Sequence, residues 1–242
     1  MKTIYRIAKS ELNSLFCSPI AWLVLVIFTF QMSMVFTDRI IWELRDFVIN
    51  NREKDGLTVY FLLSGFGTPL FPGVLSYLYL YFPLLTMGLM SREFSSGEVK
   101  LLYSSPVTNT HIVLGKFLAM MVFALVLVGI LLVYVIFGMC TVESFDLSLT
   151  LSGLLGIYLL ICAYAAIGLF MSCLTSYQMV AAMGTLAVLS VLNFIGSVGQ
   201  DMAFVRDVTY WLSISGRAEE FINGLICSED ILYFLIVIAL FL

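Results

Sequence analysis

The residues of this chain that could take part in chemistry are few, and they form no known catalytic arrangement. His111 is the sole histidine, and it directly precedes a long apolar run, where a residue at the start of a helix is more typical than a general base. The five cysteines contain no CxxC pair, and the sequence shows no cluster of metal ligands. We therefore expect no catalytic residues and no metal site, and we do not expect an enzyme.

The most informative polar segment, residues 91–116, separates two long apolar runs. Ser95 followed by Glu98 fits a capping box, which predicts a short helix. Leu101 and Leu102 would give that helix an apolar side. On the residues alone two interpretations stay open: an amphipathic loop that rests on lipid, or an element that a protein outside the bilayer binds.

The Gly115-Lys116 pair at the end of this segment is not part of an ATP-binding loop. A Walker A sequence requires Gly where Thr110 stands and Ser or Thr where Phe117 stands. We expect Lys116 to extend its ammonium back to the lipid head groups. If the protein drives active transport, the energy must come from another chain.

The elements that position these residues are predicted to be membrane helices. Mean hydropathy is +1.04 and 61% of the residues are hydrophobic, which is typical of an integral membrane protein. Five apolar runs are about as long as a bilayer crossing requires. A sixth reaches Leu242 before it is long enough, so we expect the sequence to be cut inside its last span, with more chain beyond. The predicted spans are residues 20–36, 70–90, 112–138, 151–174, 179–198 and 231–242.

Charge predicts the orientation and an additional helix before the first span. Lys and Arg are in excess on the side that holds the N-terminus, whereas Asp and Glu dominate the other side, which places both ends in the cytoplasm. Residues 1–19 have Arg6 and Lys9 on a polar face and Phe16 on an apolar face, at helical spacing. We expect an interfacial helix that ends at Ser18-Pro19 and turns into the first span.

Two further patterns bear on function. The five complete spans contain no Asp, Glu, His or Arg, and their one Lys, Lys116, lies at a mouth. A proton- or sodium-coupled carrier would place ionisable groups near the midplane.

Cys140 and Cys227 both fall on the predicted outer side, where an oxidising compartment permits a disulfide between them.

Segment 91–116 contains, in order, Glu93, Gly97, Leu101-Leu102, Ser105-Pro106-Val107 and residues 112–116. With these residues it resembles the coupling-helix region of type-2 ABC transporter permeases (the ABC-2 family). The similarity extends over nearly all of the chain. It resembles most the gliding-motility-associated permease branch, through residues 16–22 and 220–234. One departure is that Glu98 and Lys100 stand where the family has Thr and an acidic residue.

This resemblance implies an all-α integral membrane protein, a six-span permease with an N-terminal interfacial helix and a cytoplasmic coupling helix in a single domain, 1–242. It implies that the coupling region, 91–111, contacts a cytoplasmic ABC ATPase, which binds ATP and Mg while the permease itself binds no cofactor. It also implies a second permease subunit, a bacterial inner-membrane location and export. The predicted ATPase-coupling residues are Glu93, Gly97, Glu98, Leu101, Leu102 and Pro106.

Two other classes of function remain open from the sequence. A non-transporting membrane scaffold of a motility or secretion complex would use the same ATPase contact. An intramembrane enzyme is the least favoured, because no nucleophile, base and orienting group can be assembled.

Overall fold

The computed structural model describes residues 2–50, 70–98, 108–141, 147–197, 209, 213–224 and 227–242, and within these ranges the regular structure is helical, without strands. A 3₁₀ turn, Ile195–Ser197, follows α7. The helices are α1 (Lys2–Cys17), α2 (Pro19–Asn50), α3 (Leu70–Thr86), α4 (Ser91–Ser96), α5 (Asn109–Thr141), α6 (Leu147–Leu174), α7 (Gln178–Phe194), α8 (Ile214–Ile222) and α9 (Ser228–Phe241).

The N-terminal elbow forms where the sequence predicts it. Helix α1 ends at Cys17, and α2 begins at Pro19, whose fixed φ and missing N–H suit the first helical position. The indole Nε1 of Trp22 donates to the carbonyl of Phe16 at 2.7 Å, which holds the two helices at a fixed turn. Helix α2 then continues to Asn50, well past the predicted end of the first span.

Within the described residues, four stretches are long and apolar enough to cross a membrane: Pro19–Asp38, Phe71–Ser96, Asn109–Met139 and Leu147–Leu174. This finding confirms a multi-pass membrane protein whose described regular structure is helical. The fifth and sixth predicted spans form helices α7, with 17 residues, and α9, with 14. Both are shorter than the roughly 20 residues of a typical crossing, so the count of six spans stays a prediction.

Helix α6 lies at the centre of the bundle and contacts α3, α5, α7, α8 and α9. The side chains from Cys162 to Ile167 are almost completely buried. Small residues allow neighbours to approach: a Cβ at Gly156 would lie 2.4 Å from Phe221 of α8, and one at Gly168 would lie within 3 Å of Thr86 at the end of α3. Helix α6 therefore packs closely against both α8 and the end of α3, which leads into α4.

Candidate functional site

Three charged side chains from three helices meet at the predicted cytoplasmic end of the bundle. The ammonium of Lys116, on α5, donates to Glu11 Oε1 of α1 at 2.6 Å and to Glu93 Oε1 of α4 at 2.6 Å. It also donates to the carbonyl of Leu89 at 2.7 Å. A lysine ammonium has three N–H donors, so all of them are engaged. We call Glu11, Glu93, Lys116 and the Leu89 carbonyl the inner junction.

Helix α1 reaches the inner junction because it crosses α5 at a glycine. A Cβ at Gly115 would lie 2.7 Å from the side chain of Ile7, so a larger residue would push α1 away. Glu11 is one helical turn after Ile7 and therefore lies on the same face of α1, beside the residue that follows Gly115. The Gly115-Lys116 pair thus has a packing role and a charge role.

The prediction that Lys116 extends to the lipid head groups is wrong. Its side chain is buried, with only 1% of the residue exposed, because α1 lies over it and two carboxylates surround the ammonium. A buried lysine requires such partners, since an unpaired ammonium away from water costs several kcal/mol or more.

A hydroxyl from the central helix fixes the start of α4. The Oγ of Ser172, near the end of α6, accepts from the backbone N–H groups of Met90 and Ser91 at 3.0 and 3.1 Å, and it donates to the carbonyl of Met87. Met90, the N-cap residue, supplies no side-chain cap of its own. Ser172 therefore caps α4 from another helix, and it is fully buried.

Helix α4 is short because its last turn ends in a left-handed glycine. Gly97 has φ of +76°, a conformation that glycine adopts without a Cβ penalty. Ser95 lies inside α4, and its hydroxyl donates to the carbonyl of Arg92 at 2.9 Å. The predicted capping box is therefore wrong, because Ser95 bonds a carbonyl in the last turn of α4 and does not cap the start of a helix. Glu98 is exposed just beyond Gly97.

The remaining predicted coupling residues, Leu101, Leu102 and Pro106, lie outside the described residues. Of the six, the structure therefore places Glu93 in the inner junction, Gly97 at the end of α4 and Glu98 on the surface. The predicted apolar side of a coupling helix stays a prediction.

The inner junction carries more negative than positive charge. Two carboxylates face one ammonium, and the exposed fractions of the Glu11 and Glu93 side chains are only 16% and 12%. The second oxygen of Glu93, Oε2, is buried and has no hydrogen-bond partner among the residues that the structure describes. Because the surroundings exclude water, the three charges interact strongly and hold α1, α4 and α5 in one arrangement.

A second buried ion pair lies at the opposite, predicted outer, end. Arg217 Nη1 of α8 donates to Asp230 Oδ1 of α9 at 2.5 Å, and the two residues are 4% and 0% exposed. The guanidinium also lies 5.2 Å from the ring centroid of Tyr233, at cation–π distance. We call Arg217 and Asp230 the outer pair.

The outer pair has further carboxylates around it. Burial raises the pKa of the Glu220 carboxyl, and a hydrogen bond with Asp230 and repulsion from Asp230 and Glu229 raise it further. The ligand atoms of Glu220, Cys227 and Asp230 lie within 4.8 Å of one another, a group that sequence reasoning missed. The Arg217 guanidinium already neutralises Asp230, so this arrangement favours an ion pair over a metal ligand set.

Other predicted residues have simpler environments. Arg6 and Lys9 are exposed on α1, and the ring of Phe16 packs 5.8 Å from that of Phe123, as the predicted amphipathic helix requires. His111 Nδ1 lies 2.8 Å from the hydroxyl of Thr108 at the start of α5. The side chain of Cys140 lies outside the described residues, so its predicted disulfide with Cys227 stays a prediction.

Sequence reasoning missed Glu11, Ser172 and the outer pair. Glu11 had a signal, since it is a lone acid in a helix that otherwise carries Lys and Arg. Ser172 had none, because a serine near the end of an apolar helix is ordinary. Arg217 and Asp230 lie on different helices, 13 positions apart, so no local spacing in the sequence indicates that they pair.

The comparisons with known proteins agree with this picture of a helical membrane protein. The family model described as ABC-2 family transporter protein matches residues 43–215, which is more than half of the chain. The match includes Glu93, Lys116 and Ser172 but begins after Glu11. No curated protein and no solved structure gives a significant match.

Proposed function

The chain belongs to the ABC-2 family of transporter proteins, and from that premise we propose that it is the transmembrane permease subunit of an ATP-binding cassette exporter. A separate cytoplasmic ATPase would bind ATP and Mg and drive it. We propose residues 91–111 as the segment that contacts the ATPase, in a bacterial inner membrane.

The observation that carries this proposal is the way α4 is fastened to the bundle. Glu93 ties it to Lys116 of α5 and, through that ammonium, to Glu11 of α1. Ser172 ties its first turn to the central helix α6. A force applied to α4 from the cytoplasm would therefore reach three helices at once, because buried ion pairs and close packing deform little.

The spans supply a second argument, because the five predicted complete spans contain no Asp, Glu, His or Arg. A carrier driven by an ion gradient would ordinarily need such groups near the midplane. The chain also has no Walker A sequence, so an ATPase partner is the energy source that fits.

A working unit of two permease subunits and two ATPases follows from the family. We propose that the first and fifth spans form the permease interface. Helices α2 and α7 both leave large apolar side chains exposed, among them Phe30 and Met183, which suits either such an interface or lipid. Placement in the gliding-motility-associated branch stays a prediction.

The test is to purify the tagged protein from its native membrane in mild detergent and identify the chains that co-purify by mass spectrometry. We expect a stoichiometric P-loop ATPase. We also expect Leu101→Asp or Leu102→Asp to insert normally but to lose that ATPase. Leu57→Asp, in the predicted outer loop, is the matched control and should keep it.

Recovery of the protein alone, under conditions that preserve other membrane complexes, would contradict the permease proposal. Retention of the ATPase by both leucine variants would contradict the coupling assignment only. A complex that forms but whose ATP turnover the permease never stimulates would favour the scaffold function instead.

A further inference from the structure

A cleft of about 90 Å³ opens at the cytoplasmic end of the bundle, beside the elbow between α1 and α2. We call it the elbow cleft and define it by Ser14, Ser18, Ile20, Leu84, Arg92 and Gln178, which lie on α1, the elbow, α2, α3, α4 and α7. A cavity needs roughly 10–15 Å³ of such accessible volume to hold one water, so the elbow cleft has room for several waters. A phosphate-sized group could therefore enter, while anything larger must extend outside.

The lining of the elbow cleft changes from polar to apolar. Ser14 and Arg92 form one part of the polar lining, where Arg92 Nη2 donates to the Ser14 hydroxyl at 3.1 Å. Ile20 and Leu84 form the apolar part, and they are 37% and 41% exposed on the bundle surface. Trp22, two residues beyond Ile20, is also exposed, and tryptophan is a residue type enriched at lipid interfaces. This gradient matches a molecule with a polar head and apolar chains.

The exposed charge at the elbow cleft is positive, although the buried inner junction beside it carries an excess of negative charge. The two ionisable lining groups of the cleft are Arg92, which is exposed, and Glu11, whose carboxylate is engaged by Lys116. The N-terminus of α7 also lies at the cleft, because Gln178 is its first residue. Tyr177, the N-cap residue, gives no side-chain cap, so the first N–H groups of α7 add to the positive field.

We propose that the elbow cleft binds the head group of an anionic phospholipid from the cytoplasmic leaflet, with its acyl chains lying along Ile20, Trp22 and Leu84. The lipid phosphate accepts hydrogen bonds from Arg92 and Gln178. A lipid is favoured over a free anion because the apolar side of the cleft continues onto exposed apolar side chains of α2 and α3. This inference does not depend on transport or on an ATPase.

The test uses purified protein that is washed in detergent and then incubated with phosphatidylglycerol or phosphatidylcholine, with bound lipids counted by native mass spectrometry. We expect one tightly retained phosphatidylglycerol per chain and weaker retention of phosphatidylcholine. A charge-assisted hydrogen bond contributes about 1.5–3 kcal/mol. Arg92→Gln should therefore weaken retention about tenfold or more. Lys9→Gln removes an equal charge from exposed α1, outside the cleft lining, and should keep the lipid.

A second variant fills the cleft without touching its charge. Gly88 lines the cleft, and a Cβ there would meet nothing within 4 Å, so Gly88→Leu can place its side chain in the cleft without displacing a neighbour at its base. We expect it to lose the lipid. Gly129, on α5, has equally open surroundings, and Gly129→Leu is the matched control that should keep the lipid.

Equal retention of phosphatidylglycerol by the wild type, Arg92→Gln and Gly88→Leu would overturn the proposal. Equal binding of phosphatidylcholine would overturn the requirement for an anionic head group. Displacement of the lipid by millimolar inorganic phosphate would overturn the choice of a lipid over a free anion.

Discussion

The inner junction and the outer pair are both buried ion pairs, at opposite ends of the same bundle, yet they connect very different parts of the chain. Lys116 joins residues that lie 105 and 23 positions away, on α1 and α4. Arg217 joins a residue only 13 positions away. The inner junction therefore connects helices that are distant in the sequence, whereas the outer pair connects α8 and α9, which follow one another.

The choice of cation agrees with this difference. The ammonium of Lys116 is a compact charge whose three donors can point at acceptors on three elements. The guanidinium of Arg217 is planar, so it can bind a carboxylate while its face lies against Tyr233. We infer that the inner junction transmits movement of α4 and that the outer pair stabilises one local packing arrangement.

The largest effect should come from breaking the inner junction with Lys116→Met. This change leaves two buried carboxylates without a cation, and removing one partner of a buried pair typically costs about 3–5 kcal/mol. We expect a large fall in the thermal midpoint of the purified protein. The midpoint is measured by size-exclusion chromatography of samples heated to different temperatures. Lys9→Gln removes an exposed lysine and should leave the midpoint nearly unchanged. A midpoint for Lys116→Met equal to the wild type would show that the junction does not bear on stability.

Breaking the outer pair with Arg217→Met should cost somewhat less, about 3 kcal/mol, because it leaves one buried carboxylate instead of two. Because the outer pair connects only α8 and α9, we expect the loss of stability to be confined to these two helices. Hydrogen exchange should increase in α8 and α9, while α1 and α4 stay protected. Increased exchange across α1 and α4 as well would contradict a local role for this pair.

Removal of the cap on α4 with Ser172→Ala should have a smaller effect, because loss of an N-cap typically costs about 1 kcal/mol. We expect faster hydrogen exchange at Met90 and Ser91, whose N–H groups donate hydrogen bonds to the Ser172 hydroxyl. Ser176→Ala, at an exposed position after α6, is the control and should leave these amides unchanged. Unchanged exchange in Ser172→Ala would mean that α4 is held by the inner junction alone.

The smallest effect concerns pH at the outer end. Because the pKa of Glu220 is raised above its usual 4.5, the folded protein binds this proton more readily than the unfolded chain does. Stability from this group should therefore increase as pH falls through the folded pKa and be lost as pH rises through it. The groups that act on or lie beside Glu220 include Asp230, Glu229 and Cys227.

Glu220→Gln should raise the thermal midpoint slightly at neutral pH and flatten its rise toward acid pH. Asp38→Asn, an exposed acid on α2, should leave the slope as in the wild type. An identical pH slope in Glu220→Gln and the wild type would contradict a role for this carboxyl.

Much of the fold could be predicted from the sequence, because hydrophobic run length and the Ser18-Pro19 break depend on local residues. Helix α1, the elbow and the apolar helices of the bundle all follow from such patterns, while the interfacial position of α1 stays a prediction. The burial of Lys116 could not, because it depends on α1 crossing α5 at Gly115, a contact between distant segments. Because the sequence does not show this contact, it predicts that Lys116, at the end of a span, extends its ammonium to the lipid head groups.

The candidate site shows the same limit. The motif residues Glu93 and Gly97 were identified through a family resemblance, and the structure gives each a physical role. Their partners Glu11 and Ser172 were not identified, because Ser172 is an ordinary residue for an apolar helix and the lone acid Glu11 does not indicate which distant residue it contacts. A motif therefore indicated where the site lies, while the contacts that hold it required the fold.

Transmission of movement from α4 to the bundle through the inner junction is tested most directly with the triple variant Glu11→Leu, Glu93→Leu and Lys116→Met. This variant replaces the charged side chains of the inner junction with apolar ones. Such replacements of buried charges by apolar residues are often neutral for stability, so the variant can remain folded. After co-purification with the ATPase, the rate of ATP hydrolysis is compared with that of the ATPase alone. We expect the variant still to bind the ATPase but no longer to stimulate its hydrolysis of ATP. Stimulation equal to that of the wild-type permease would contradict the claim that the inner junction transmits movement from α4 to the bundle.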